Sequence, residues 1–220
     1  GKINNIPFFC TCGVGFDAFI SLKFADSGKR GLLTYLENTL HESLTYQPET
    51  YEIENEEGTM KYKAWLIACG NASQYGNDAY IAPQASLTDG LMDVTIMEPF
   101  TVLDVPSLSF QLFNKTIDQN SRVKTMRAKK IKIHRVNDGV MHFDGDPLMA
   151  GKELEVEIVP AGLRVIASEK KKEKPENPNL LQVISNYFSG LHLKGEEMMA
   201  KRQSHLFELN RTLLGKLSKK

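Results

Sequence analysis

Long hydrophobic runs and an excess of charge of one sign are both missing from this 220-residue sequence. No apolar run approaches the roughly 20 residues that a membrane-spanning helix needs, and we predict no signal peptide. The formal net charge is zero, so the chain lacks the global basic surface that is typical of nucleic-acid-binding proteins. We therefore expect no nucleic-acid partner and no membrane-spanning segment.

Cysteine is scarce as well, with only Cys10, Cys12 and Cys69 in the chain. All three lie in apolar, strand-like runs, which predicts buried thiols in a reducing compartment. A cysteine metal site would need further His or Cys side chains nearby, so we do not predict one. The hydrophobic content of 41% and the charged content of 25% are those of a soluble globular protein. We expect a cytoplasmic protein.

The most distinctive stretch that is present runs from Asn71 to Asp93. Turn-forming residues and polar side chains are too frequent in it for a plain core segment. An apolar run over 64–70 leads into it, and a second apolar run over 94–97 follows it. This pattern predicts a strand, a long ordered loop and another strand. Long ordered loops on a sheet scaffold are a common location of functional residues.

Alternation of apolar and polar residues, broken by turn signals, predicts several short strands elsewhere. Helical spacing predicts inserted helices over 16–42 and 101–114, with Pro106 in the first turn of the second. We predict a mainly β fold, an antiparallel β-sandwich whose ends these helices cap. The predicted strands are a hairpin over 51–62, strand-like sequence over 122–135, and segments over 140–143, 154–158 and 163–166.

Composition changes abruptly near residue 169. We predict a β-sandwich domain over 1–168, a charged linker over 169–178 and a helical tail over 179–220. The last thirty residues contain seven Lys and Arg side chains against three Glu, a net charge of +4, with a stripe of leucines. Such a helix suits peripheral contact with an anionic membrane surface, such as the inner membrane face. We favour packing on another domain or on a second copy of the chain, so a homodimer stays open.

Two loops join an acidic residue to glycine: Asp89-Gly90 and Asp144-Gly145-Asp146. Either could be a plain hairpin turn. The second loop carries two carboxylates one residue apart, and in an extended segment such residues point the same way. Repulsion between the two acids would then raise the pKa of one carboxyl, which suits a general base. The same pair could instead bind a cation through its oxygens.

Four segments in order resemble the C-terminal domain of the bacterial diacylglycerol kinase-like lipid kinases, a family that includes sphingosine and ceramide kinases. The match covers roughly residues 6–168. The first segment, 12–18, resembles the family's Gly-x-Gly-x-Asp/Glu-Ala motif, and the last, 160–165, resembles its closing strand. Between them, 71–93 resembles an Asn…Gly…Pro-x-Ala-x-x-x-Asp-Gly-x-Leu/Met-Asp signature, and 143–146 resembles a Leu-Asp-Gly-Glu loop.

This resemblance implies transfer of the γ-phosphoryl group of ATP to a lipid hydroxyl. The family's N-terminal domain binds the nucleotide with a Gly-Gly-Asp-Gly-Thr loop, and this sequence contains no such loop. We therefore expect the second domain alone, cut from a longer protein and inactive by itself. A soluble-substrate kinase of the NAD kinase-like superfamily and a non-catalytic binding module are the alternatives.

The resemblance also assigns roles to residues. The family's catalytic base falls on Asp146, one methylene shorter than the usual Glu, with Asp144 as the alternative. The family's Mg²⁺ site falls on Asp89, with backbone carbonyls from Ser86 and Leu91. Apart from the resemblance, Gly13 and Gly15 form only a weak candidate phosphate loop. Asp17 is a candidate helix cap, and His142 is more typical of a half-buried strand residue than of a catalyst.

Overall fold

Two six-stranded antiparallel sheets form the part of the chain that this computed structural model describes, residues 1–27 and 46–166. The predicted mainly β, antiparallel sandwich is confirmed. The first sheet has the order β2-β1-β12-β9-β4-β5, with β1 Lys2–Ile3, β2 Ile6–Pro7, β4 Glu49–Asn55, β5 Gly58–Ala64, β9 Lys130–Arg135 and β12 Glu153–Glu157. The second sheet has the order β11-β10-β3-β6-β7-β8, with β3 Thr11–Gly15, β6 Leu66–Gly70, β7 Met92–Met97, β8 Val123–Ala128, β10 Gly139–Phe143 and β11 Asp146–Ala150.

The main core lies between the inner faces of the two sheets. In β9, Ile131 and Ile133 are buried, whereas the lysines at 130 and 132 are exposed and pair with glutamates of neighbouring strands. This alternation follows from the two-residue period of a strand, which places successive side chains on opposite faces. Ile67 and Val94 are the corresponding buried residues of the second sheet.

Two helices pack on the outer face of the second sheet. Helix α1 spans Phe16–Ser27 and helix α2 spans Val105–Phe113, and short 3-10 turns flank α2. Phe16 and Leu108 share an apolar cluster with Leu66 of β6. The helices therefore cover a sheet face, and the prediction that they cap the ends of the sandwich is wrong. They pack there because alternate residues of β6 also present an apolar outer face. Pro106 lies in the first turn of α2, as predicted.

Two strand predictions need correction. The strand-like sequence over 122–135 divides at Lys129 into β8 and β9, which belong to different sheets. The predicted closing strand over 163–166 is irregular, and Leu163 and Ile166 are exposed. Among the described residues no strand pairs with that segment, and apolar alternation alone does not make a strand without a partner for its backbone groups.

Several predicted segments lie outside the described residues: the part of the predicted helical region 16–42 that follows residue 27, the linker 169–178 and the tail 179–220. Contacts divide the chain into one compact unit over Gly1–Arg164 and a second over Val165–Lys220. Within the described residues, no helix combines the length and the hydropathy needed to cross a membrane.

Candidate functional site

The Asp144-Gly145 pair forms a two-residue hairpin turn between β10 and β11. Both residues have positive φ, 49° at Asp144 and 90° at Gly145, which is typical of a type I′ turn. Phe143 lies directly opposite Asp146 in the ladder. The chain therefore reverses between the two acids, and the prediction of an extended segment with both carboxylates on one side is wrong.

The carboxylate of Asp144 is committed to the backbone. It accepts hydrogen bonds from the amides of Phe9 at 2.7 Å, Cys10 at 2.7 Å and Thr11 at 3.1 Å. An ionised carboxylate that accepts several amide hydrogen bonds makes strong, short contacts. Asp144 thus fastens the segment before β3 to the hairpin. Cys10 is exposed in this bend, contrary to the prediction that all three thiols are buried.

Asp146 is in a different situation, although it lies only two residues further on. It is exposed at the start of the edge strand β11, and its carboxylate forms no hydrogen bond or ion pair within residues 1–27 and 46–166. A base must be free to reach the proton that it removes. The geometry therefore favours Asp146 over Asp144 as the candidate base.

The loop over 71–91 is long but well anchored. Its segment 80–82 is buried on the outer face of the second sheet, and Thr95 of β7 donates its hydroxyl to the carbonyl of Ile81 at 2.8 Å. At its start, Asn71 donates its side-chain amide to the carbonyl of Phe9 at 2.7 Å. Asn71 and Asp144 therefore hold the same short segment before β3 from two sides.

The Asp89-Gly90 turn is held by an arginine that the sequence analysis did not identify. One oxygen of Asp89 accepts the amide of Leu91 at 3.0 Å, and the other pairs with a guanidinium nitrogen of Arg127. Arg127 also donates from Nε to Asp93 at 3.3 Å. Asp93 and Arg127 are directly opposite each other in the β7–β8 ladder. Arg127 thereby bridges the two acids of the loop.

Burial changes the ionisation of Asp93, which is only 8% exposed. Desolvation raises the pKa of the Asp93 carboxyl above its usual value, and the charge and hydrogen bond of Arg127 oppose that rise. The nearby Asp89 carboxylate adds to the rise. Arg127 thus reduces the cost of keeping two carboxylates close together at this edge.

The predicted Mg²⁺ ligands are close to one another in the chain. Asp89 would supply a carboxylate, and Ser86 and Leu91, which lie within three residues of it, would supply backbone carbonyls. Mg²⁺ commonly takes one or two protein carboxylates and keeps several waters, so this donor chemistry fits. The Arg127 guanidinium already contacts Asp89, so a cation there would share that carboxylate with a positive charge. In the described part of the chain, no three His, Cys, Asp or Glu side chains cluster as a metal site.

Strand register brings the two acidic turns to the same end of the second sheet. The ladder row that contains Asp146 passes through Phe143, Cys12, Cys69 and Val94. Asp93 lies one residue from that row. Its strand, β7, is the fourth strand from β11, so the two strands are about 19 Å apart at the usual strand spacing. The two turns therefore lie at the same end of the second sheet and do not contact each other. We name this end of the second sheet, between the turns at 144–145 and 89–90, the acidic edge.

The Gly13 and Gly15 pair provides close backbone packing and does not form a turn, because both lie inside β3. Gly15 has φ of 101°, and a Cβ there would lie 2.7 Å from the carbonyl oxygen of Trp65. A Cβ on Gly13 would lie 2.5 Å from the carbonyl oxygen of Ile67. Glycine is thus required by contact with the neighbouring strand and its lead-in residue.

A second polar group that the sequence analysis missed lies on the outer face of this sheet. Asp17 in the first turn of α1 contacts both Tyr75 of the loop and His142 of β10. His142 is almost completely buried, where a half-buried strand residue was predicted. The partners are separated by 58 and 125 residues, so no local pattern could have indicated the contact.

The fold and the acidic edge define a class, the two-sheet β-sandwich domains that carry acidic turns at one end of a sheet. The family model described as the YegS C-terminal NAD kinase beta sandwich-like domain matches residues 11–167, and the chain belongs to this family. The resemblance found in the sequence is confirmed. It is also confirmed by relatives that are named lipid kinases.

The curated relatives include the protein named "Lipid kinase YegS" from Escherichia coli strain K12. It is 30% identical over 134 residues, which cover 61% of this chain and 43% of that protein. A protein named "Probable lipid kinase YegS" from Salmonella arizonae is 28% identical over 166 residues, covering 74% of this chain and 54% of the relative. The chain thus spans about half the length of the curated relatives that it matches.

A solved structure from Bacillus anthracis str. Sterne, described as a "putative diacylglycerol kinase", has the same fold. Its TM-score is 0.52 with 16% sequence identity, over 72% of this chain and 52% of the other. At this identity the likeness supports the architecture and carries no information about substrate.

Proposed function

We propose that this chain is the C-terminal domain of an ATP-dependent lipid kinase, which transfers the γ-phosphoryl group of ATP to a lipid hydroxyl. The observation that carries the proposal is the exposed carboxylate of Asp146 at the acidic edge, which has no partner among the described residues. Relatives that share this domain are named lipid kinases, which supplies the reaction class. ATP and the lipid are the proposed partners.

In the proposed reaction Asp146 accepts the proton of the lipid hydroxyl as the hydroxyl oxygen attacks the γ-phosphorus. The bond between that phosphorus and the bridging oxygen of ADP breaks, and ADP leaves. Phosphoryl transfer depends mainly on positioning and electrostatic stabilisation, so one well-placed carboxylate is a sufficient base. Asp144 keeps the hairpin fixed relative to β3 and thereby orients Asp146.

The proposed Mg²⁺ ion would be held by Asp89 with the carbonyls of Ser86 and Leu91. When bound, it would supply positive charge close to the acidic edge. Because the chain spans about half the length of its relatives, we propose that most of the ATP contacts come from the rest of a longer protein. On that basis this chain alone is expected to be inactive.

The decisive experiment is a kinase assay with radiolabelled ATP and a mixed lipid extract. It uses a longer protein in which this chain is joined to a nucleotide-binding domain. Asp146→Ala should lower kcat by about 100-fold or more, because general-base catalysis contributes 10²–10⁴-fold. Asp138→Ala, which removes an exposed acid from another turn, is the matched control. Full activity in a folded Asp146→Ala variant would refute the assignment of the base.

The family description itself favours one other function, since it names a NAD kinase-like β-sandwich. A kinase with a soluble acceptor would use the same carboxylate and the same phosphoryl chemistry. The assay separates the two functions by extraction. Labelled product in the organic phase supports a lipid acceptor, and labelled product that stays in the aqueous phase supports a soluble one.

A further inference from the structure

Three side chains from three different elements meet at one carboxylate on the outer face of the second sheet. Asp17 belongs to α1, His142 to β10 and Tyr75 to the 71–91 loop. We name this group the Asp17 junction. It lies outside the acidic edge, and neither of the carboxylates proposed for chemistry takes part in it.

The hydrogen bonds of the Asp17 junction are short, and the side chains of Asp17 and His142 are buried. Oδ2 of Asp17 accepts the hydroxyl of Tyr75 at 2.8 Å and lies 3.0 Å from Nε2 of His142. Oδ1 accepts the amide of Ala18 at 2.8 Å. Asp17 is 8% exposed and His142 is 2% exposed, so the contact between them is shielded from water. In such surroundings a hydrogen bond to a charged group is stronger than on the surface. Tyr75 is 36% exposed, and its hydrogen bond to Asp17 is partly buried.

The sheet beneath the junction is shaped to admit it. A Cβ on Gly13 would lie 3.0 Å from Oδ2 of Asp17 and 3.2 Å from Nε2 of His142. Gly13 is directly opposite His142 in the β3–β10 ladder. Any side chain at position 13 would therefore intrude on the carboxylate and the imidazole together. The glycine of the first sequence motif leaves space for the junction.

The surroundings also decide which ring nitrogen of His142 carries the proton. Nδ1 is buried and has no hydrogen-bond partner in the described part of the chain, whereas Nε2 faces the Asp17 carboxylate. A buried N–H without an acceptor is rarer and less tolerated than a lone pair without a donor. Protonation at Nε2 makes the Asp17 contact a charge-assisted hydrogen bond and leaves only a lone pair at Nδ1.

We infer that Asp17 is a positioning residue, which fixes the 71–91 loop relative to the hairpin of Asp146 by binding Tyr75 on one side and the Nε2–H tautomer of His142 on the other. The loop carries Asp89, and His142 lies in the strand that precedes the Asp144-Gly145 turn. The junction thus links the segments that carry the two acidic turns, from its position on the outer face of the second sheet. Its role in phosphoryl transfer rests on the proposed function, but its effect on the loop does not.

The experiment compares Tyr75→Phe with Tyr80→Phe in the 220-residue chain. Both variants remove one hydroxyl from the same loop, but the Tyr80 hydroxyl bonds Asp78 within the loop, at 2.9 Å. In the wild-type chain, ¹⁵N NMR should show His142 as the Nε2–H tautomer. Tyr75→Phe should shift the His142 ring signals and speed amide hydrogen exchange over 71–79 by about tenfold, one lost net hydrogen bond. Tyr80→Phe should leave the His142 signals unchanged.

Three results would overturn the inference: an Nδ1–H tautomer, His142 signals that do not respond to Tyr75→Phe, or amide exchange over 71–79 that is the same in Tyr75→Phe as in the wild-type chain. A kinase assay of the longer protein adds an independent readout. Tyr75→Phe should lower kcat at least several-fold more than Tyr80→Phe at an unchanged KM for ATP, and equal kcat values would reject the positioning role. The NMR results hold whether or not lipid phosphorylation is found, so failure of the junction and failure of the proposed function are separable.

Discussion

The two Asp-Gly turns share a dipeptide but differ in what their aspartates bind. The carboxylate of Asp144 holds the backbone amides of a neighbouring segment, and no arginine from the described part of the chain takes part. The carboxylate of Asp89 holds its own loop and the guanidinium of Arg127. In the first turn a second acid, Asp146, has no hydrogen-bond or ion-pair partner within residues 1–27 and 46–166, whereas in the second turn Asp93 shares the arginine. Identical local chemistry therefore serves different purposes, according to what lies opposite it.

The comparison suggests a division of labour along the acidic edge. The first turn leaves one negative charge exposed, which suits a base. The second turn balances two carboxylates with one guanidinium, which suits a stable support for the loop. A cation at Asp89 would have to act against the charge of Arg127, whereas a proton can reach Asp146 without such competition.

Removing the backbone contacts of the first turn should have the largest effect. Asp144→Ala should reduce the free energy of unfolding by about 2–4 kcal/mol, because three amide hydrogen bonds to a charged group are lost. Asp144→Asn should cost less, since Asn tolerates positive φ and keeps one acceptor oxygen. Urea denaturation measures both. Asp146→Ala is the control and should stay within about 0.5 kcal/mol of wild type; equal losses at 144 and 146 would contradict the comparison.

Removing the arginine of the second turn should have an intermediate effect. Arg127→Met should lower the free energy of unfolding by about 1–2 kcal/mol, because the buried Asp93 loses its charged partner. The exposure of Arg127 limits the loss. Lys124→Met, at an exposed position of the same strand, is the matched control for urea denaturation. If the two substitutions cost the same, the bridge does not support the loop.

A smaller effect should appear in the pH dependence of stability. Burial raises the pKa of Asp93 in the folded protein above the ordinary value of 3.8. The group then stabilises the fold at pH values below 3.8, and this contribution is lost as the pH rises through the folded-state pKa. The stability of wild type relative to Asp93→Asn should therefore fall as the pH rises from below 3.8. If the stability of wild type relative to Asp93→Asn rises over this pH range instead, the charge pair with Arg127 outweighs burial.

Magnesium should give the smallest effect. At a concentration equal to its Kd, Mg²⁺ adds about 0.4 kcal/mol of stability by mass action, which raises Tm by about 1–2 °C in a chain of this size. Asp89→Asn should abolish the increase, whereas Asp144→Asn should retain it. Thermal denaturation at matched ionic strength, with EDTA as the reference, makes the measurement. An equal response in wild type and Asp89→Asn would place any metal elsewhere.

Local pattern was a good guide wherever the structure depends on neighbours in the chain. The hairpin over 51–62, the helix start near Phe16 and the position of Pro106 all follow from alternation, helical spacing and turn chemistry. It failed where an outcome depends on a distant partner. The 163–166 segment has the pattern of a strand but pairs with none among the described residues. The bond between Asp17 and His142 spans 125 residues.

The sequence by itself determined the β-rich architecture and the positions of the two acidic turns, because backbone preferences and side-chain alternation act over a few residues. Its four motifs carried the resemblance to the family. Only the tertiary structure decided which carboxylates are engaged. Strand register places Arg127 opposite Asp93, brings the amides of 9–11 to Asp144 and leaves Asp146 exposed. A hydrogen bond needs its donor within about 3 Å, and for residues this far apart in the chain only the folded arrangement of the sheets sets that distance.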